Sequence, residues 1–245
     1  MYPVLFEVGG FELRAYGFLF GLSFIAALVF GLIRAKKYKI TGDEVYEFAF
    51  YIIFSSLAGA KLLSLIVDFK YIIQQGLTID LLRSGFVFMG GLVGGICGGF
   101  AYVIVNKKDY RKFMDFVAPI VPLAHAIGRV GCFLNGCCYG KATDTCGIVF
   151  PNLGDGLKRY PTQLFESFFL VFITIFTVWF DKKKKYNSQL FVIYIGLYSI
   201  FRFINEFFRG DYRGSVFNIS TSQIVSVIMF IVIIIYDFKA RKKNG

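Results

Sequence analysis

Residues 125–140 read HAIGRVGCFLNGCCYG and gather His125, the chain's only histidine, with Arg129, Asn135 and three of its five cysteines, Cys132, Cys137 and Cys138. On a helix, Arg129, Cys132 and Asn135 follow at i,i+3 steps and line one edge, and His125 stands four residues before Arg129. Gly128 and Gly131 flank the arginine and leave room beside the backbone. A guanidinium offers a planar fork that grips a phosphate with two parallel charge-assisted bonds. Histidine titrates near neutrality and is a candidate base. The plainer readings stand beside these: an arginine snorkelling from a helix end, and a hydrogen-bonded histidine.

A second set is RFINEFFR, residues 202–209. Arg202 and Glu206 are one helical turn apart and Arg209 lies a further turn on, so they share a face. Either the set is an internal salt bridge, or Glu206 holds Arg202 ready for an anion. A buried arginine left unpaired costs about 3–5 kcal/mol, so Arg129 needs a partner, and an anionic lipid would serve. A third set is YPTQLFE, 160–166, where Gln163 and Glu166 form an i,i+3 ladder toward Arg129 or Arg202, or else a plain cap with a paired acid. Pro161 suits a helix start. Tyr16 and Gly17 stand at the start of another apolar run, as an interfacial anchor or a contact to a bound group.

The cysteines admit several readings. Cys132, Cys137, Cys138 and Cys146 lie close in sequence, but adjacent Cys137 and Cys138 fit metal-ligand spacing poorly, so neither a metal nor another cofactor is expected. A disulfide from Cys137 or Cys138 to Cys146, a thiol role for Cys132, Cys137 or Cys138, and simple packing all stay open. Cys97 reads as packing.

The elements that must position these residues are membrane helices. The 245 residues are 56% hydrophobic and include 31 phenylalanines, with a mean hydropathy of +0.62. That exceeds the apolar share of soluble domains. Seven apolar runs are expected to span: about 13–33, 45–66, 85–105, 113–134, 163–180, 189–208 and 217–236. Their length, without alternation, excludes a barrel. Pro119 and Pro122 interrupt the fourth run. Residues 71–82 read as a weak interfacial piece. In the third run Gly90, Gly94 and Gly98 form a stripe for close helix packing or for a lipid.

RAKKYK (34–39), KKDYRK (107–112), KKKK (182–185) and KARKK (239–243) follow runs one, three, five and seven and hold 16 of the 27 Lys and Arg. The positive-inside rule then places the N-terminus outside and the C-terminus in the cytoplasm. The fold expected is an all-α, polytopic seven-helix transmembrane bundle. It forms one integral membrane domain over 1–245, with an outer loop and active-site region at about 125–166. The +11 charge belongs to topology and anionic lipid rather than to nucleic acid. The N-terminus carries no pattern of a signal peptide.

Ionisable groups within the bilayer are costly and mark function. Arg129, Glu166, Arg202 and Glu206 fall toward the outer side, with Lys61 the exception. A channel needs polar positions along its whole length, and a transporter needs them at the midplane. This set suits an enzyme acting on a lipid phosphate at the outer face.

The motifs resemble those of bacterial prolipoprotein diacylglyceryl transferases. The family signature, approximately G-R-[IV]-G-N-F-x-N-x-E-x-x-G, stands here as GRVGCFLNGCCYG (128–140). The first-span YG resembles Tyr16-Gly17, and the glycine-rich third span resembles FVFMGGLVGG (86–95). PTQLFE (161–166), RFINEFFR (202–209) and STSQIVS resemble the remaining segments in order. The resemblance implies a seven-helix membrane enzyme of the bacterial inner membrane. Such an enzyme moves diacylglyceryl from phosphatidylglycerol to the lipobox cysteine of a preprolipoprotein and releases glycerol 1-phosphate. It implies that Arg129 binds the head group, Arg202 assists phosphate departure, Glu206 holds Arg202, Asn135 orients the head group and Tyr16 contacts the reacting end. The departures are Met89 where the family has a histidine, Cys132 for its asparagine, Cys137 for its acid and Tyr160 in the H-P entry. A diverged relative with a different acceptor is the alternative, and a non-catalytic lipid-binding or transport protein is a further one.

Overall fold

The computed structural model describes residues 1–69, 72–73, 87–211, 215–216 and 219–244. Apart from 72 and 73, the interfacial piece expected over 71–82 lies outside the described residues. The helices are α1 (Ala15–Tyr38), α2 (Gly42–Val67), α3 (Phe88–Val105), α4 (Tyr110–Val117), α5 (Ile120–Asn135), α6 (Thr162–Phe180), α7 (Gln189–Asn205) and α8 (Thr221–Asn244). With α4 and α5 taken as one broken segment, the described residues form seven apolar helical segments. Six are long and apolar enough to cross a membrane, and the third, Met89–Val105, is shorter. The molecule is a multi-span helical membrane protein.

The chain packs as two units, Met1–Gly31 with Met114–Gly245, and Leu32–Phe113. In the second unit α2 lies along α3. The glycine stripe is used up by that packing. A Cβ on Gly90 would lie 2.7 Å from Leu63 Cβ, and one on Gly94 would lie 3.0 Å from the Ser55 carbonyl carbon. Small residues there let the two backbones approach where no hydrophobic force drives helices together in lipid. Below the stripe, buried Tyr102 sits among the rings of Phe48, Tyr51 and Phe113, with centroids 5.4–5.6 Å away. A capping box starts α2: Thr41 Oγ1 accepts from Glu44 N at 3.2 Å, and Glu44 Oε2 accepts from Thr41 N at 2.7 Å. Lys108 pairs with Glu44, so the basic connection after α3 meets the one after α1.

In the first unit α5 lies along α6, α6 along α7, and α7 along α8. Ala118, Ile173, Leu190 and Tyr194 form its buried centre. Pro119 separates α4 from α5, and Pro122 sits in the first turn of α5, where its missing N–H breaks no helical bond. The basic connections again meet at one end. Lys184 Nζ lies 2.9 Å from Asp115 Oδ2, Tyr186 bonds Asp237, and Arg241 Nε lies 2.8 Å from Asp237 Oδ2.

Short strands decorate the bundle. A hairpin of β1 (Val4–Val8) and β2 (Phe11–Arg14) turns through Gly9 and Gly10 at φ of 58° and 82° and runs straight into α1. Positive φ at both turn residues is what a tight hairpin requires and what glycine supplies. The loop after α5 carries β3 (Ile148–Val149) paired with β4 (Lys158–Arg159), and β5 (Ser215–Val216) pairs with β6 (Ile219–Ser220). Helices α1 and α8 run on through RAKKYK and KARKK, where hydropathy alone places connections. Lys and Arg are good helix formers, so polarity alone does not end a helix.

Candidate active site

The polar residues of α5, α6 and α7 converge in the first unit. Glu166, on the second turn of α6, is fully buried. Its Oε1 accepts from Arg129 Nη2 at 3.0 Å and from Tyr198 Oη at 2.8 Å, and His125 Nε2 is 3.7 Å from the same oxygen. Its Oε2 has no hydrogen-bond partner among the described residues. The His125 ring stands edge-on to Tyr198, with centroids 5.5 Å apart. Glu166 is the counter-charge that Arg129 requires, where the sequence left a bound lipid as one option.

One turn after Tyr198 on α7 comes Arg202. Its Nη1 lies 2.8 Å from Glu206 Oε2 as an ion pair, and its Nη2 donates to Ser222 Oγ at 3.0 Å. Arg202 acts electrostatically on both His125 and Glu166. The helix tightens to 3₁₀ over Glu206–Phe208, and Arg209 turns aside. Arg209 still lies 3.9 Å from Glu206, but its fork closes on Asp211 at 2.9 and 2.7 Å. Asp211, a few residues past the arginine, is the partner that sequence reading missed. Burial works against the charged Arg209, but the Asp211 carboxylate outweighs it and lifts the guanidinium further above its ordinary value.

The loop 136–142 is pinned between helix ends. Gly136 caps α5 in the left-handed region at φ 73°. Asn152 Nδ2 donates to Gly136 O at 3.0 Å, Gln163 Nε2 to Cys137 O at 2.6 Å and Thr162 Oγ1 to Cys138 O at 2.9 Å. Gln163 therefore holds this loop rather than extending a ladder to the arginines. Gly140 N donates to Tyr160 O at 2.9 Å, and Lys141 N to Phe208 O at 2.8 Å, so the loop ties the start of α6 to the end of α7. Asn135 ends α5, and the Cys137 thiol reaches back to Cys132 O at 3.6 Å. A Cβ on Gly131 would lie 3.6 Å from Tyr16, which sets the first turn of α1 against α5. Tyr16 interacts electrostatically with Arg129 and with Cys132, Cys137 and Cys138.

The family model described as prolipoprotein diacylglyceryl transferase matches residues 3–238. The chain belongs to that family. It is a transferase of this family, and the phosphatidylglycerol–prolipoprotein diacylglyceryl transferases of other bacteria are its relatives. That of Clostridium tetani is 37% identical over 95% of each chain. The second such enzyme of Clostridium perfringens is 36% identical over 99% of this chain and 98% of its own. That of Pseudoalteromonas translucida is 34% identical over 94% and 89%. The motif residues of the transferase fall on facing elements: Tyr16 on α1, Arg129 and Asn135 on α5, Glu166 on α6, and Arg202 and Glu206 at the end of α7. Met89 is an exposed residue of the other unit.

The cysteines of the transferase are not in disulfides. Cys146 is exposed, and Cys97 is exposed on α3. Cys132, Cys137 and Cys138 come together instead, with all three sulfurs within 4.8 Å of one another. Hydrogen bonding with Cys132 favours the Cys137 thiolate, but Cys138 and burial outweigh it, so the Cys137 thiol sits above its ordinary value.

Proposed function

We propose that this transferase moves the diacylglyceryl group of phosphatidylglycerol onto the lipobox cysteine of a preprolipoprotein. The acceptor sulfur attacks a glyceryl carbon, the carbon–oxygen bond to phosphate breaks, and glycerol 1-phosphate leaves. The observation that carries the assignment of roles is a pair of arginines, Arg202 buried and Arg129 half-buried, each held by its own carboxylate. Arg129 is held by Glu166 and Arg202 by Glu206. Each guanidinium uses only part of its fork on its carboxylate and keeps donors for a phosphate. Charge that builds on the departing oxygens is stabilised by cations already fixed in place, at no cost in reorganisation.

Arg129, Arg202, Glu206 and His125 form the catalytic set on this reading, and Tyr16, Asn135, Gln163, Glu166 and Arg209 line the substrate. Gln163 acts by fixing the loop that carries Cys137. The whole chain, 1–245, works as one integral domain of the cell membrane. Its N-terminus and the 125–166 region lie outside and its C-terminus lies in the cytoplasm. The meeting of the basic connections within each unit supports that topology.

The test is transfer by the purified chain from phosphatidylglycerol to a lipobox peptide, read by mass spectrometry. The expected product is a thioether peptide heavier by diacylglyceryl, with one glycerol phosphate released per transfer. Arg129→Ala and Arg202→Ala are each expected to lower turnover by about 100-fold or more with helix content unchanged. Full turnover in both variants overturns the assignment of roles.

A further inference from the structure

Three thiols on one side of a pinned turn make a ligand set that the transferase reading does not use. Adjacent cysteines in a regular helix point about 100° apart. Here Cys138 takes the left-handed region at φ 65°, two residues after Gly136 does the same at φ 73°. The chain doubles back over the end of α5, and Cys137 N donates to Cys132 O at 3.1 Å. A non-glycine residue at positive φ is strained and persists only where its surroundings hold it. The surroundings are the three side chains that bond the carbonyls of Gly136, Cys137 and Cys138. The sulfurs fall within 4.8 Å of one another, against about 3.8 Å between ligands in a tetrahedral zinc–thiolate site.

The charges also fit. Three thiolates on a dication leave the site with one negative charge. Arg129 interacts electrostatically with Cys132 and Cys138, and Arg209 with Cys138. Two guanidiniums therefore stand ready to offset that charge. Three protein ligands leave the fourth tetrahedral position open, as in metal sites that do chemistry.

We infer that Cys132, Cys137 and Cys138 bind one thiophilic d¹⁰ dication of the zinc class, whose open position takes the thiol of the acceptor. The ion displaces one proton from each protein thiol and one from the acceptor, all passing to solvent. The bound acceptor sulfur is then a thiolate at neutral pH. It forms the new bond to the glyceryl carbon, and the electron pair of the broken carbon–oxygen bond leaves on phosphate. The thioether produced is a weaker ligand than a thiolate and departs. This inference rests on the acceptor proposed above.

The test uses the full chain in detergent, stripped with a chelator and titrated with Co²⁺. One equivalent is expected to produce an intense thiolate-to-cobalt absorption. Cys132→Ser and Cys138→Ser are expected to weaken binding by about 100-fold or more, while Cys97→Ser and Cys146→Ser leave it unchanged. Adding a lipobox peptide is expected to shift the visible cobalt bands, and the same peptide with serine for cysteine is expected not to. No such absorption in the parent chain, or a disulfide among the three cysteines in protein alkylated at lysis, overturns the site. Cobalt binding with no response to the cysteine peptide, or full transfer by metal-free chain, overturns its role toward the acceptor. A cobalt-binding chain that transfers to no lipobox peptide counts against the proposed reaction and leaves the metal site standing.

Discussion

At the scale of residues, the site is organised by one buried acid. Glu166 spends Oε1 on Arg129 and Tyr198 and keeps Oε2 free of partners among the described residues. Glu166→Gln keeps the shape and removes the charge, leaving the half-buried Arg129 without compensation. The expected loss is about 3 kcal/mol, visible as a lower Tm, together with transfer. Tyr198→Phe deletes one hydrogen bond to a charged acceptor, about 2 kcal/mol. Because both act on one carboxylate, the double variant is expected to lose less than the sum, and additive losses count against a shared network. Spacing alone makes the i,i+4 pair of Arg202 and Glu206 legible. It leaves Glu166 a choice between two arginines. Tyr198 is hidden among apolar neighbours, although it stands one turn before Arg202 on the same helix. The thiol cluster cannot be read from spacing at all, because it depends on a backbone sign at Cys138 that no residue type specifies.

Among elements, hydropathy marks the seven apolar segments, and the prolines mark the break in the fourth. Caps and short strands escape it, since a two-residue ladder carries no period. The loop after α5 matters most, because it joins the start of α6 to the end of α7. A Cβ on Gly140 would lie 2.6 Å from Tyr160 O and 2.7 Å from Phe208 O, and neither backbone carbonyl is free to give way. Gly140→Ala is therefore expected to cost about 1–3 kcal/mol and to loosen the Arg202 end of α7. Transfer should fall more than stability does, which proteolysis of the loop alongside thermal melting would measure. The contrasting change is Thr41→Ala at the capping box of α2, in the other unit. It is expected to lower stability by about 1 kcal/mol and to leave transfer by the folded protein unaltered.

For the whole molecule, the arrangement in the membrane decides whether the site meets an exported substrate. The basic connections meet at one end within each unit, and moving such clusters across a bilayer is opposed by the rule that keeps Lys and Arg inside. On the proposed topology the loop between α5 and α6, which carries Cys146, lies outside. Cys146 is an exposed native thiol and serves as its own reporter. A membrane-impermeant maleimide is expected to label it in intact cells, with labelling at that peptide lost in Cys146→Ser. In the Cys146→Ser background, Lys183→Cys within the KKKK connection is expected to react only after the membrane is opened. Charge alone leads to this arrangement, because the asymmetry of lysine and arginine is written in composition. What composition does not carry is depth: Arg129 and Arg202 lie on different helices, and only packing of α5 and α7 on α6 brings Arg129 and Tyr198, one turn before Arg202, to Glu166. Labelling with the opposite pattern, Lys183→Cys accessible in intact cells and Cys146 protected, would put both arginines on the cytoplasmic side, where no exported cysteine arrives.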